Sequence, residues 1–171
     1  MPLIESAAEH LVACLQGGGK ILTCGNGGSA MDAQHFACEL VGRFLMDRPG
    51  LASIALTPDS SILTAVANDY GFERVFARQV QAHGRPGDVL VGFSTSGRSP
   101  NVLAALREAK TQGMTTIGMT GVGDPGFAAL CDFCFEVPSA ATPRIQEVHL
   151  WITHTLMLLV ERRIFGTPQG E

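Results

Sequence analysis

Two short apolar segments, each followed by a small polar loop and a helical pattern, constrain the fold of this chain most strongly. The first is Ile21-Leu22-Thr23-Cys24, which runs into Gly25-Asn26-Gly27-Gly28-Ser29, and residues 30–45 then have helical spacing. The second is Asp88 to Phe93, followed by a loop from Ser94 to Ser99 and a helix from Pro100 to Gln112 with Ser99 as its predicted N-cap. The same patterns predict further strands at 53–56, 115–119 and 133–137, and further helices at 3–16, 59–68, 73–83 and 144–164.

Short strands that are apolar throughout and alternate with helices are typical of a parallel sheet covered by helices on both faces. The sequence therefore predicts an α/β fold, a doubly wound three-layer αβα sandwich. Ligands of such sheets bind at the carboxyl ends of the strands, where both polar loops lie. The length of 171 residues predicts a single domain over residues 1–171, with a frayed tail at 166–171.

Composition and charge limit the classes of partner. The net charge is −4 and no run of Lys or Arg is present, so neither a nucleic-acid groove nor an anionic membrane surface is expected. No apolar run is long enough to span a bilayer. The odd number of cysteines, five, predicts reduced, buried thiols and a cytoplasmic location. We interpret the CxxC of Cys131 and Cys134 as the beginning of a strand rather than as a metal or redox site.

The loop from Ser94 to Ser99 carries four hydroxyl side chains and a glycine just before a helix. Free N–H groups and the positive end of the helix dipole point outward at such a turn, so the loop predicts a phosphate cradle. It lacks the lysine of the GxxxxGK[ST] motif, and no GxGxxG turn is present. Neither nucleotide triphosphate hydrolysis nor a nucleotide cofactor is therefore expected. The glycines from Gly25 to Gly28 let backbone N–H groups approach a ligand in the same way.

The helix behind the first loop places Asp32, His35 and Glu39 on one face. His35 and Glu39, four residues apart, can share a metal ion or pass a proton, whereas a solvated face or a core histidine is the alternative interpretation. His154 lies among apolar residues of the last helix, where a polar group needs a partner. Its spacing fits a core histidine bonded to a carbonyl as well as a functional group.

Four stretches of the chain, taken together, resemble the sedoheptulose 7-phosphate isomerase family, also called phosphoheptose isomerases, which are sugar isomerase (SIS) domain proteins. They are GNGGSAMDAQHFACELVGRF (25–44), NDYGFERVFARQV (68–80), GDVLVGFSTSGRSPNV (87–102) and RIQEVHLWITH (144–154). The resemblance implies a five-stranded parallel sheet and an aldose–ketose isomerase. It implies conversion of sedoheptulose 7-phosphate to D-glycero-D-manno-heptose 7-phosphate through an enediol, the first step of ADP-heptose synthesis for the lipopolysaccharide core. It also implies a cytoplasmic homotetramer with zinc in each site.

The resemblance also implies roles for individual residues. Substrate contacts would fall on Asn26, Gly27, Gly28, Glu39, Asn68, Asp69, Ser94, Thr95, Ser96, Ser99 and Gln146. The implied zinc ligands are His35, Glu39, Gln146 and His154. For the chemistry, Glu39 is the implied base and His154 the implied acid. Pro143 stands where some relatives have Asp, which leaves the sugar preference open.

Helix geometry adds a hypothesis about assembly. In one regular helix Gln146 and His154 lie about 12 Å apart along the axis and roughly 80° apart around it. Sharing one metal ion would strain both side chains, so we expect a complete site to draw His154 from a neighbouring subunit. An oligomer would also bury the apolar surface expected of a chain that is 46% hydrophobic and 16% charged.

Two functions of other classes fit the same loops. One is a non-enzymatic SIS-domain protein that binds the bacterial replication initiator, which shares the patterns at Arg48 to Leu56 and Asn68 to Val80. The other is a sugar-phosphate sensor. Neither needs a carboxylate and an imidazole directed into a sugar site, so Glu39 and His154 favour the enzyme.

Overall fold

A computed structural model describes residues 2–122 and 124–166 of the chain. Within these residues, the strands are β1 (Ile21–Gly25), β2 (Ser53–Ala55), β3 (Val89–Ser94), β4 (Thr115–Thr120) and β5 (Phe133–Glu136). The helices are α1 (Pro2–Gln16), α2 (Gly28–Val41), α3 (Ser60–Tyr70), α4 (Val75–His83), α5 (Pro100–Thr111), α6 (Pro125–Ala128) and α7 (Thr142–Phe165), with a 3-10 turn at Phe72–Arg74. Most of the predicted tail, residues 167–171, lies outside the described residues.

The strands form one parallel five-stranded sheet in the order β2-β1-β3-β4-β5. This confirms the predicted α/β fold. From β1 the chain moves outward to β2, and from β3 it moves outward in the opposite direction through β4 to β5. The loops after β1 and β3 therefore flank the point where the strand order reverses, which is where such sheets bind ligands.

Alternate residues of each strand face opposite sides of the sheet, and each side has its own apolar core. On one face Ile21, Val91 and Phe93 pack with residues of α1, α2 and α7. On the other face Leu22 and Leu90 pack with residues from α3 to α6. Helices α2 and α7 therefore lie on the same face of the sheet, where their side chains can approach one another.

The helix predicted at 30–45 is longer than α2 at its C-terminal end. The N–H of Gly42 donates to the carbonyl of Cys38, which closes the last turn. Further along, the N–H groups of Phe44, Leu45 and Met46 donate to the Glu161 carboxylate of α7 instead of to helix carbonyls. A long-range partner therefore ends the helix earlier than its apolar spacing indicates.

The cysteines agree with the sequence interpretation only in part. All of them are free thiols, and Cys14 and Cys24 are buried as expected, but Cys38 is exposed. Cys131 precedes β5 and Cys134 lies within it, so the CxxC does mark the beginning of a strand. Among the described helices none combines the length and apolar character needed to cross a bilayer.

Gly121, directly after β4, is packed tightly against the start of α7 and the loop after β3. Its N–H donates to the carbonyl of Thr95 at 3.0 Å. A Cβ atom at this position would lie 2.6 Å from that carbonyl oxygen and 2.5 Å from Cδ1 of Ile145. No side chain larger than hydrogen fits without moving α7 or the loop after β3.

We therefore expect Gly121→Ala to destabilise the fold by about 1–3 kcal/mol, the usual cost of overpacking a tight contact. The obstructing Thr95 oxygen belongs to the backbone and cannot rotate away. Urea denaturation of both proteins measures the difference. An unchanged free energy of unfolding would show that α7 does not lie this close to the loop.

Candidate active site

Side chains from α2 and α7 of the same chain meet above the shared face of the sheet. Nε2 of His35 lies 2.9 Å from Nε2 of His154. Nε2 of His35 also lies 3.3 Å from Oε1 of Glu39, one helical turn further along α2. One nitrogen or oxygen from each of the three residues falls within 4.8 Å of the other two. The His35 side chain is 37% exposed and that of Glu39 15%, so a small ligand can reach the group.

The donor atoms of this group suit a divalent metal ion. Two imidazole nitrogens and a carboxylate oxygen are ligand types that zinc accepts, and catalytic zinc sites commonly use three protein ligands with one position left for water or substrate. Three of the four predicted ligands, His35, Glu39 and His154, are thus brought together. They form a group that could hold a metal.

The expectation that His154 would come from a neighbouring subunit is wrong for this group, because the chain's own His154 contacts His35. The reason is the direction of α2. Gln146 lies beside Gly28 at the start of α2, so close that a Cβ atom at Gly28 would collide with Nε2 of Gln146. His154, eight residues after Gln146, lies beside His35, seven residues after Gly28. The two helices run parallel, and α2 supplies partners to both ends of this segment of α7.

The hydroxyl loop after β3 is held by bonds within itself. Oγ of Ser94 donates to Oγ of Ser99 at 2.9 Å, and the N–H of Ser99 donates back to Oγ of Ser94. Ser99 occupies the N-cap position of α5, but its hydroxyl does not cap the helix. Gly97 has a φ of 66°, in the left-handed region that favours glycine. The loop is therefore a preformed turn at a helix N-terminus.

Thr95 and Ser96 of this loop line a cavity of about 280 Å³, together with Arg98, Asp124 and residues that precede α7. Ser96 Oγ accepts the N–H of Arg98 at 3.2 Å. The lining includes residues whose side chains can donate hydrogen bonds, namely Thr95, Ser96 and Arg98. The cavity is thus suited to an anionic or polyhydroxylated ligand.

Asn26 binds a residue that the sequence did not single out. Its side-chain amide and that of Asn101 exchange two hydrogen bonds of 2.8 Å, which join the loop after β1 to the first turn of α5. Asn101 is 2% exposed. Both residues line a second cavity, of about 300 Å³, with Phe72, Glu73, Ser99 and Pro100. The only signal for Asn101 in the sequence is its place directly after Ser99-Pro100.

Asn68 and Asp69 form no side-chain hydrogen bond with the other predicted residues among those that the structure describes. They lie at the exposed end of α3, where Nδ2 of Asn68 donates to Oδ1 of Asp69 at 2.8 Å. Their predicted role as substrate contacts therefore has no support from hydrogen bonds in the described part of the chain. Gly27 and Gly28, by contrast, lie at the N-terminus of α2, and Gly28 is beside Gln146.

Comparison with known proteins identifies the family. The family model of the SIS domain matches residues 1–121. The phosphoheptose isomerase of Burkholderia pseudomallei (strain 1710b) is 58% identical over 163 residues, 95% of this chain and 83% of that protein. The chain belongs to the phosphoheptose isomerase family.

Other phosphoheptose isomerases extend the match to structure. That of Roseiflexus sp. (strain RS-1) is 55% identical over 164 residues, 96% of this chain and 83% of that protein. The solved structure of phosphoheptose isomerase GmhA from Neisseria gonorrhoeae superposes with a TM-score of 0.88 at 47% identity, covering 94% of this chain and 86% of that one. The predicted resemblance, and with it an enzyme of this family, is confirmed.

Asp32 is a further carboxylate on α2, one turn before His35. Its Oδ2 atom is buried and has no hydrogen-bond partner within the described residues. Burial raises the pKa of Asp32 to about 6, and a smaller electrostatic effect of His35 acts in the opposite direction. Because the folded-state pKa lies above the unfolded value, ionisation of Asp32 costs stability as the pH rises from about 4 through 6.

We expect Asp32→Asn to melt at a higher temperature than the wild type at pH 7.5, and the difference to vanish near pH 4. Thermal denaturation of metal-free protein across this range measures it. Asp47, which is exposed, provides the control, since Asp47→Asn removes a carboxylate that is not buried. A variant of Asp32 that melts at or below the wild-type temperature at pH 7.5 would contradict this account.

Proposed function

We propose that this protein interconverts the ketose sedoheptulose 7-phosphate and the aldose D-glycero-D-manno-heptose 7-phosphate through an enediol. The proposal rests on one observation. Glu39 and His154 lie in one accessible group, in which His35 is close to both of them. Membership of the phosphoheptose isomerase family supports the choice of substrate class.

The reaction needs a base and an acid at neighbouring carbons. Glu39 takes a proton from C1 of the ketose while His154 gives a proton to O2, which yields the enediol. Return of the proton to C2 and removal of the proton from O1 then give the aldose. The reaction is redox-neutral overall, so no nucleotide cofactor is needed.

The phosphate group is assigned to the hydroxyl loop. Ser94, Thr95, Ser96 and Ser99 supply hydroxyls, and the N-terminus of α5 adds backbone N–H donors. Asn26, Gly27, Gly28 and Gln146 would contact the sugar from the α2 side. Asn68 and Asp69 keep their proposed role from the resemblance alone.

His35, Glu39 and His154 are the proposed metal ligands, with Gln146 proposed from the family pattern. Zinc, when bound, would act as a Lewis acid toward the oxygens of the substrate. Two of the side chains that would hold zinc, Glu39 and His154, are also the proposed base and acid. If the protein still turns over substrate in the presence of a chelator, proton transfer by these residues does not require the metal.

A homotetramer also belongs to the proposal. Large apolar side chains of α7 are exposed in the single chain: Val148 by 38%, Leu150 by 37% and Trp151 by 51%. Burying such a face between subunits is typical of permanent oligomers. The cytoplasmic location stays a prediction from the cysteines and the resemblance, and the place in lipopolysaccharide heptose synthesis one from the resemblance alone.

The two alternative functions lack a comparable observation. A protein that binds the replication initiator, or that senses a sugar phosphate, gains nothing from a carboxylate within reach of two imidazoles. The grouping of Glu39 with His154 thus favours catalysis over binding alone.

We expect Glu39→Gln and His154→Gln each to lower kcat at least about a hundredfold, since each removes a general acid or base. Conversion of sedoheptulose 7-phosphate is followed by NMR, with and without added zinc. Glu5→Gln and His10→Gln provide matched controls on α1, away from the group, and should retain wild-type rates. Inert wild-type protein that binds a replication-initiator peptide would overturn the proposal.

A further inference from the structure

A buried ion pair ties the end of α2 to α7. Nε of Arg48, in the segment after α2, donates to Oε1 of Glu161 on α7 at 3.0 Å, and each side chain is 2% exposed. Glu161 follows His154 by seven residues, two helical turns, and so lies on the same face of α7. The sequence interpretation gave neither residue a role in the site.

The Glu161 carboxylate holds the segment that follows α2. It accepts the backbone N–H groups of Phe44 at 3.0 Å, Leu45 at 2.9 Å and Met46 at 3.2 Å. Burial alone would raise the pKa of Glu161, but these N–H groups and Arg48 outweigh it and hold the pKa below its ordinary value. The carboxylate is therefore charged and fully bonded.

The Arg48 guanidinium holds the end of α2 itself. Its terminal nitrogens donate to the carbonyl of Glu39 at 2.7 Å and to that of Leu40 at 2.6 Å, with a longer bond of 3.3 Å to Gly42. Carbonyls in the last turn of a helix have no partner within the helix, and a cation there is favourable. Arg48 thus binds the backbone of the proposed base directly.

The same segment also contacts the proposed acid. The ring of Phe44 lies 5.4 Å from the ring of His154, at an angle of 33°. Since the N–H of Phe44 is bound to Glu161, the ion pair fixes one neighbour of His154 as well as the backbone of Glu39. The proposed base Glu39 and the proposed acid His154 are thereby both connected to the ion pair of Arg48 and Glu161.

We propose that Arg48 and Glu161 are positioning residues that set the separation of His35 and Glu39 from His154. The inference rests on the proposed function for its catalytic meaning, but the placement of the three ligands can be tested without it. A buried ion pair is a weak source of stability, since desolvation offsets much of the attraction. The hydrogen bonds of Arg48 and Glu161 instead connect the end of α2 to α7, the two helices that carry His35, Glu39 and His154.

Glu161→Gln removes the charge, and Arg48→Lys keeps a charge but loses the planar fork that reaches several carbonyls. We expect each variant to weaken zinc binding and to lower kcat by roughly 10- to 100-fold, the usual effect of removing a residue that orients metal ligands. KM should change little, because the hydroxyl loop is untouched. Zinc affinity is measured by competition with a chelating dye, and folding by circular dichroism.

Asp88→Asn is the matched control. Asp88 is also buried, pairs with Lys20, and accepts the N–H groups of Lys20 and Arg85, both at 2.9 Å. It precedes β3, at the end of the sheet opposite to the site. This variant should lower the melting temperature while zinc affinity and kcat stay at wild-type values.

The outcomes separate the two proposals. Folded variants of Arg48 or Glu161 with wild-type zinc affinity and kcat would overturn the positioning role, and so would an equal loss in Asp88→Asn. If Glu161→Gln does not fold, the zinc affinity and kcat of Arg48→Lys decide whether the positioning role holds. Weakened zinc binding in a protein whose wild type does not isomerise the sugar would support the positioning role and refute the proposed function. If the wild type turns over without binding zinc, kcat alone decides.

Discussion

The parallel packing of α2 and α7 on one face of the sheet is the contact on which the rest of the site depends. Phe36 and Leu40 of α2 and Ile152 and Leu156 of α7 belong to one apolar core with Phe93 of β3. Deleting a buried side chain of this size typically costs about 2–5 kcal/mol. The same helices carry the group of His35, Glu39 and His154 that could hold a metal, so the core that stabilises the fold also sets the distance between its donors.

The proposed phosphate site does not depend on a strongly basic surface. The chain has a net charge of −4, and the loop assigned to the phosphate offers hydroxyls and backbone N–H groups at the start of α5. The reciprocal amide pair of Asn26 and Asn101 joins this loop region to the loop after β1. The two loops on either side of the strand reversal are therefore held in fixed relation before any ligand binds, which reduces the entropy lost on binding.

Features that depend on local pattern were predictable from the sequence. β1 and β3 are apolar runs that end in glycine or hydroxyl loops, and the structure has both strands within a residue of their predicted bounds. The face shared by His35 and Glu39 follows from helical spacing alone. The helical pattern singled out His154 but left a core histidine equally open, and only the resemblance connected it with His35 and Glu39 on α2.

Features that depend on contacts distant in sequence were not predictable in the same way. The bonds from Glu161 that end α2 at Val41 span more than a hundred residues of chain. The misplaced expectation for His154 came from considering α7 alone, without the parallel α2 beside it. Asn101 needed the partner amide of Asn26, 75 residues away, to become visible as part of the site.

His35, Glu39 and His154, from α2 and α7 of one chain, are proposed to form an acid–base group that binds a metal ion. X-ray absorption at the zinc edge of zinc-loaded protein distinguishes this group from a thiolate site. We expect a first shell of nitrogen and oxygen near 2.0–2.1 Å with scattering typical of imidazole. A sulfur shell near 2.3 Å, as the thiols of Cys131 and Cys134 would give, would contradict it.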